Sequence, residues 1–197
     1  MREAFSTARP SRLRLSSFLA LVLGGAMLGI GALSTWGSVA FPAEVDPTGN
    51  ATAVIPGVDL WEGMLVLAAS ALVLVGTLAL RLVRGDQARR LIAVSIIVVG
   101  LVAAALAASV AIDAEDRLVQ TEGLDAYARA RSEQRDIPYE EARADIAELV
   151  REDLVVATAP GVWVAAGGGL VAGVGGILSL AWAREVSRER ELRPAPD

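Results

Sequence analysis

The chain has 197 residues, of which 54% are hydrophobic, and its 23 acidic residues outnumber its 18 basic residues to give a net charge of −5. It contains no cysteine and no histidine, and every basic residue is an arginine. A Ser-His-Asp triad, a cysteine nucleophile, a Schiff-base lysine and the usual zinc and haem ligands cannot be assembled from these residues, so we expect no enzyme activity, no catalytic residue, no metal site and no cofactor. The acidic balance also argues against nucleic acid as a partner.

Four uncharged or nearly uncharged apolar stretches dominate the sequence, at 15–34, 61–80, 91–112 and 161–182. A helix of about 20 residues is long enough to cross the roughly 30 Å hydrocarbon core of a bilayer. The first stretch is longer than the apolar region of a signal peptide, about 7–15 residues, so we expect it to be retained. The pattern predicts an all-α membrane protein, an antiparallel four-helix transmembrane bundle with short polar tails at 1–14 and 183–197.

Two loops, 36–60 and 113–160, join these stretches on one side of the membrane. In the first loop, two β-like pieces flank a turn at 46–50, which predicts a small hairpin. In the second, Pro138 followed by Glu140 and Glu141 is typical of a helix start. The apolar stripe after it either binds a partner, caps the bundle or lies on the membrane surface; its residues are Ala142, Ile146, Leu149 and Val150.

Small residues recur at helical spacing within the stretches and predict close helix packing. The last stretch has seven glycines, which would disfavour a helix in water. In lipid, a spanning backbone must satisfy its own hydrogen bonds, and this requirement favours a helix again. The predicted packing positions are Gly25, Gly29, Gly100, Ala104, Gly169, Gly173 and Gly176.

The placement of arginine predicts the orientation. The two tails and the turn at 81–90 carry four arginines each, whereas the loop 36–60 has none and the loop 113–160 has thirteen acids against six arginines, a net charge of −7. The positive-inside rule therefore predicts a multi-pass protein of the cell membrane with both termini in the cytoplasm. Tryptophans at the ends of the spans are predicted to be interface anchors, as in an aromatic belt: Trp36, Trp61, Trp163 and Trp182.

Three short segments carry a resemblance: Thr35-Trp36, 57–61 and Pro160-Gly161-Val162-Trp163. Together with the four spans, they resemble small bacterial four-span integral membrane proteins of uncharacterised role. Trp36 followed by Gly57, Leu60 and Trp61 also resembles the W…GLW pattern in the first extracellular loop of claudin-like proteins. This chain lacks the cysteine pair of that family and has Val58-Asp59 inserted between the glycine and the leucine.

The leading functional hypothesis is a non-catalytic scaffold or accessory subunit, whose partners are the lipid bilayer and either another membrane protein or a second copy of the chain. The alternative is a small transporter or channel subunit that oligomerises through Gly25 and Gly29 or through Gly169 and Gly173. Transport usually needs ionisable groups or broken helices at membrane depth, and the span interiors offer only hydroxyl groups.

Two charged regions have a functional and an ordinary interpretation. Glu141, Asp145, Glu148 and Glu152 could share a cation, although the interleaved arginines favour a solvated helix face. The arginines of the tails and of the 81–90 turn could attract anionic lipid headgroups, or they could serve only to fix the topology.

Overall fold

The computed structural model describes residues 8–40, 52–83, 85–114, 128–129, 131–133, 135–152 and 155–191. Within them, four long helices, one shorter helix and three short strands are formed. In chain order these are α1 (Ala8–Leu33), β1 (Thr35–Ala40), β2 (Thr52–Pro56), α2 (Trp61–Leu82), α3 (Asp86–Ile112), α4 (Tyr139–Glu152), β3 (Val155–Thr158) and α5 (Pro160–Glu191). A single 3₁₀ turn, Gly57–Asp59, joins β2 to α2.

The four long helices confirm the predicted membrane bundle, because α1, α2, α3 and α5 are each long and apolar enough to cross a bilayer. Helix α5 packs against both α1 and α3, and α2 packs against the same two helices on the other side. The buried interior is built from Leu28, Val66, Val73, Ala107 and Ala172. Large apolar side chains such as Leu72, Val98 and Leu170 lie on the exterior, where lipid would surround them.

All four long helices extend beyond the predicted spans, α2 by two residues to Leu82 and α3 by five residues from Asp86, inside the predicted 81–90 turn. Helix α1 begins at Ala8, inside the segment that the sequence suggests is a tail, and α5 continues to Glu191, well beyond residue 182. Arginine, glutamate and leucine are good helix formers, so these helices do not have to end where the apolar run ends.

A three-stranded antiparallel sheet closes one end of the bundle, with β1 in the centre between β2 and β3. The pairing of β1 with β2 confirms the predicted hairpin, whose turn at 46–50 lies outside the described residues. The third strand comes from the second loop and is not predicted by the sequence. We call this end of the molecule the sheet end. The opposite end, where α1 begins, α2 turns into α3 and α5 leaves the bundle, is called the arginine end.

Helix α4 begins at Tyr139, directly after Pro138, as the sequence predicts. The carbonyl oxygen of Pro138 accepts hydrogen bonds from the backbone N–H groups of Glu141 and Ala142, both 3.0 Å long. Ala142 is fully buried, which places the first residue of the predicted stripe toward the protein. The side chains of the remaining stripe residues, Ile146, Leu149 and Val150, lie outside the described part of the structure.

Candidate functional site

Helix α5 has two faces that are lined by glycine and alanine, which we call smooth faces. One lies against α3, where a Cβ atom added to Gly100 would come within 2.7 Å of the carbonyl oxygen of Gly169, and one added to Gly176 would be 2.6 Å from Ile97. A Cβ added to Gly169 would meet Gly100 and Ala104 in turn. Four of the predicted packing positions, Gly100, Ala104, Gly169 and Gly176, thus belong to one seam between two helices of the same chain.

The second smooth face of α5 lies against α1 and is missing from the sequence-based prediction. A Cβ at Gly24 would lie 2.5 Å from the backbone nitrogen of Ala172, and one at Gly168 would lie 2.7 Å from that of Leu28. Gly31 and Gly175 make similarly close approaches, to Ala165 and Leu21 respectively. The signal in the sequence is the seven-residue spacing of Gly24 and Gly31, matched by that of Gly168 and Gly175, which keeps each pair on one helix face.

The remaining predicted packing positions make softer contacts. Gly25 and Gly29 face α2, where an added Cβ would meet the end of Leu74 at 2.8 Å and the hydroxyl of Ser70 at 2.9 Å. Gly173 is the loosest, with Leu101 at 3.7 Å. Because these glycines face helices of the same chain, an interface between copies of the chain would have to use other faces.

The hydroxyl groups inside the bundle are bonded to backbone carbonyl oxygens. Thr77, Ser109 and Ser179 donate to their own helices, to Val73, Leu106 and Gly175. Ser70 instead donates across the seam between α2 and α1, to the carbonyl oxygen of Gly25 at 2.8 Å. These are the ordinary roles of hydroxyl side chains in membrane helices, where they satisfy backbone groups and hold neighbouring helices together.

At the sheet end, Trp36 is the side chain that joins the sheet to the bundle. It is only 1% exposed, and its indole Nε1–H donates to the carbonyl oxygen of Gly31 at 2.7 Å. Gly31 is in the last turn of α1, and its carbonyl oxygen also accepts a 3.2 Å hydrogen bond from the backbone N–H of Ser34, so the indole is tied to the end of the helix. Gly57 makes room for the ring, because a Cβ there would collide with the indole and with Ala32.

The prediction that Trp36 is an interface anchor is therefore wrong. An anchor of the aromatic belt faces lipid and headgroups. Trp36 is instead enclosed by the protein, and its indole N–H donates a hydrogen bond within the protein. Trp61 and Trp163 have the exposure expected of anchors, at 61% and 57%. Glu62, beside Trp61, is buried in the first turn of α2, where the positive end of the helix favours a carboxylate.

Two backbone hydrogen bonds, one donated by Gly57 and one by Ala159, also hold the sheet against the bundle. Gly57 N–H donates to the carbonyl oxygen of Ser34 at 2.9 Å, which ties the start of α2 to the end of α1. Ala159 N–H donates to the carbonyl oxygen of Trp36, also at 2.9 Å, which ties the start of α5 to the same place. Residues of both loops therefore meet at Trp36, and the sheet has a fixed position on the bundle.

The arginine end contains a cavity of about 500 Å³ to which all four long helices contribute. Its apolar wall includes Phe18, Leu21 and Leu80, and three arginines, one each from α1, α2 and α3, line it: Arg14, Arg81 and Arg89. None of the residues that line the cavity is acidic. The volume is within the range of small-molecule sites in proteins, about 300–1,000 Å³.

Aromatic rings hold the three guanidinium groups in place. Arg81 lies over the ring of Phe18, 3.7 Å from its centroid. Trp182, the half-buried tryptophan of α5, has Arg14 and Arg89 at 5.6 and 5.4 Å from its ring centroid. Arg89 is fixed further by a 2.8 Å hydrogen bond from its Nε to the carbonyl oxygen of Val83. The ring of Trp182 therefore contacts cations from two other helices. Its role as an interface anchor stays a prediction.

Sequence reasoning identified the arginines as a group but did not bring them together as a site. Arg14, Arg81 and Arg89 lie in three segments separated by 67 and 8 positions. Only helix packing brings them to one cavity, where two of them share the ring of Trp182 and the third lies over that of Phe18. The available signal is that each arginine lies at the same end of an apolar stretch, as does Trp182.

The acidic face of α4 offers a weaker candidate. Asp145 forms a 3.4 Å ion pair with Arg131, which connects α4 to the helical residues before it. In the part of the chain that the structure describes, no three acidic residues are grouped as ligands for a metal ion would be. The candidate site with the most specific geometry is therefore the cavity at the arginine end.

Comparison of the chain with known protein families, with curated proteins and with solved structures finds no match. The class follows from the fold itself: the chain is an α-helical multi-pass membrane protein built on a four-helix bundle. The resemblance to claudin-like loops stays a prediction, although two residues that carry it, Trp36 and Gly57, are in direct contact.

Proposed function

We propose that the chain is a non-catalytic scaffold or accessory subunit that acts by presenting the sheet end to a partner protein. The observation that supports this proposal is the junction at Trp36. A loop that only connects two spans needs no fixed shape, whereas here strands from both loops are paired and tied to three helices through Trp36, Gly57 and Ala159.

The partner that suits this surface is a protein with a basic face. The two loops of the sheet end carry net charges of −7 and −3, so the attraction between oppositely charged surfaces would steer and orient such a partner. Exposed positions are available on the sheet and on α4, including Val54, Ala157 and Glu148. Strands β2 and β3 each pair with β1 on one side only within the described sheet.

The bundle beneath this surface supports a binding role rather than transport. Helix α5 packs so closely against α1 and α3 that their backbones are in contact, for example at Gly24 and Gly100. The hydroxyl groups of Ser70 and Thr77 donate hydrogen bonds to backbone carbonyl oxygens. A bundle of this kind is suited to holding the sheet end in one orientation.

Photo-crosslinking in intact cells tests the proposal. A photoreactive amino acid is placed at Val54, Ala157 or Glu148, and, as the control, at the lipid-facing Val98. We expect the same partner protein to be recovered from at least two positions of the sheet end and not from Val98. Recovery of lipid adducts or intramolecular adducts alone from all three positions would contradict the proposal.

Charge reversal adds a second measurement. Glu148→Arg should weaken crosslinking from Val54 and Ala157, whereas Glu185→Arg, the same change at the arginine end, should leave it unchanged. Solute or ion flux through vesicles that contain only this chain would favour the transporter hypothesis instead.

A further inference from the structure

We infer that the cavity at the arginine end is a binding site for an anionic phospholipid, whose phosphate is held by Arg14, Arg81 and Arg89 and whose acyl chain enters the apolar part of the cavity. This inference does not depend on the proposed function at the sheet end. It is carried by the charge of the cavity, by its two-part lining and by its depth relative to the spans.

The positive charge of the cavity favours the binding of an anion. Three guanidinium groups from three helices line one volume, and among the described residues none of the three forms an ion pair with a carboxylate. Like charges this close repel one another, and the faces of Phe18 and Trp182 offset only part of that cost. A phosphate group, with several acceptor oxygens, is well matched to arginine forks.

The arginines keep most of their donors for such a ligand. A guanidinium has five N–H donors, and Arg89 uses its Nε–H on the carbonyl oxygen of Val83. That bond orients the side chain and leaves the terminal N–H groups for an acceptor. Stacking on aromatic faces leaves the donors at the edges of Arg14 and Arg81 available in the same way.

The rest of the lining suits an acyl chain rather than a polar molecule. Phe18, Leu21 and Leu80 present hydrocarbon, and the three hydroxyls in the lining donate to backbone carbonyl oxygens rather than into the cavity. Those hydroxyls belong to Ser17, Thr77 and Ser179. A ligand with one anionic end and one apolar end satisfies both parts, and the cavity is much larger than a phosphate ion.

The depth of the cavity matches the level of lipid headgroups. The candidate spans end at Arg12, Leu82, Asp86 and Val186, and the three arginines and Trp182 each lie within about one helical turn of these ends. Arginine and tryptophan at this level are in the zone where phosphates are concentrated. A membrane lipid is therefore the source of the phosphate that the site would meet first.

Native mass spectrometry of the full-length, delipidated protein in detergent tests the inference. The probes are phosphatidylglycerol and phosphatidylcholine with identical acyl chains, and inorganic phosphate. We expect phosphatidylglycerol to bind at least about tenfold more tightly than phosphatidylcholine, as for one additional charge-assisted interaction. Millimolar inorganic phosphate should fail to displace it. Equal binding of the two lipids would overturn the inference, and displacement by phosphate would show a site for a soluble anion instead.

A pair of matched variants locates the site. Arg14→Gln with Arg89→Gln should lower the affinity for phosphatidylglycerol by about tenfold or more and leave phosphatidylcholine unchanged. The control, Arg129→Gln with Arg135→Gln, removes the same charge from exposed positions at the sheet end and should bind like the wild type. Equal loss in both variants, or no loss in the first, would refute the assignment to this cavity.

The apolar part of the site is tested separately with Leu80→Trp, which fills the cavity and keeps all three arginines. We expect a clear loss of phosphatidylglycerol binding. Unchanged affinity would show that the acyl chain does not enter. If the arginine variant fails to fold, as judged by far-UV circular dichroism, the comparison of the three probes on the wild-type protein still decides between lipid, free anion and no specific site.

Discussion

The two sides of the bundle are packed in different ways. On the α5 side, helices approach until backbone meets backbone, as at Gly24 with Ala172 and at Gly100 with Gly169. Between α2 and the neighbouring helices, the glycines face side-chain atoms, as Gly25 does with Leu74 and Gly76 with Ile96. Half of the α5 span is buried, compared with one third of the α2 span.

This difference determines which contacts can adjust. A backbone atom cannot move without shifting its helix, whereas the end of a leucine or isoleucine can change rotamer. The α5 side therefore fixes the spacing of α1, α3 and α5, and α2 completes the bundle through contacts that can relax. The arginine-end cavity, which includes Thr77, Leu80 and Arg81 of α2, lies partly on the adjustable side, where a ligand could be accommodated without moving the other three helices.

The largest effect that we expect contrasts two tryptophans. Trp36→Ala removes a buried ring above the α1–α5 seam and should lower the free energy of unfolding by about 3–5 kcal/mol. Trp61→Ala removes a ring that is 61% exposed on α2 and should cost less than about 1 kcal/mol. Denaturation by SDS in mixed micelles, followed by far-UV circular dichroism, measures both. Similar losses for the two variants would contradict the assignment of Trp36 as the junction.

The next prediction compares neighbouring glycines that face opposite sides. Both Gly24→Ala and Gly25→Ala gain helix propensity, about 0.5–1 kcal/mol by the soluble scale. The new methyl at position 24 meets the backbone of α5 at 2.5 Å and should destabilise the bundle by about 1–3 kcal/mol. At position 25 it meets the flexible end of Leu74, so the net change should be close to zero. The same micelle titration applies, and a Gly25→Ala variant that is the less stable of the two would reverse our description of the two sides.

The sequence predicts the spans well because twenty apolar residues in a row have few alternatives. It also predicts the hairpin and the start of α4 at Pro138, because turn residues and proline act locally. It fails at Trp36, whose position beside a span is shared by buried and interfacial tryptophans alike. What decides between them is Gly57, twenty-one residues later, which leaves space for the ring.

The same limit explains the incomplete prediction of the seams and of the cavity. Periodicity identifies a smooth face on α5 but not its partner, so the α1 face with Gly168 and Gly175 was missed. The arginines that line the cavity are distant in sequence, and charge patterning alone interprets them as topology signals. Local patterns predict elements, whereas sites depend on which elements become neighbours.

A comparison within α5 distinguishes a predicted packing position from one that was missed. Gly168→Ala places a methyl 2.7 Å from the backbone nitrogen of Leu28 and should cost about 1–2 kcal/mol. Gly173→Ala meets Leu101 only at ordinary contact distance, 3.7 Å, and should be neutral or stabilising by up to about 1 kcal/mol. Thermal melting of both purified variants in one detergent ranks them. If Gly173→Ala melts well below Gly168→Ala, the face that the sequence predicts is the tighter one after all.

The smallest effect concerns Ser70, whose hydroxyl forms a hydrogen bond between α2 and α1. Ser70→Ala removes the hydrogen bond to the carbonyl oxygen of Gly25 and should cost about 0.6 kcal/mol, the average for such bonds between membrane helices. The control is Ser109→Ala, which removes a hydroxyl bonded within its own helix to Leu106 and should change stability by less than this. Because α2 relies on side-chain contacts, the loss of this hydrogen bond between α2 and α1 should appear as easier separation of α2 rather than as unfolding of α5. Hydrogen exchange of the two variants resolves the helices: faster exchange confined to α2 supports the adjustable side, whereas faster exchange in α5 would mean that the two sides unfold as one unit.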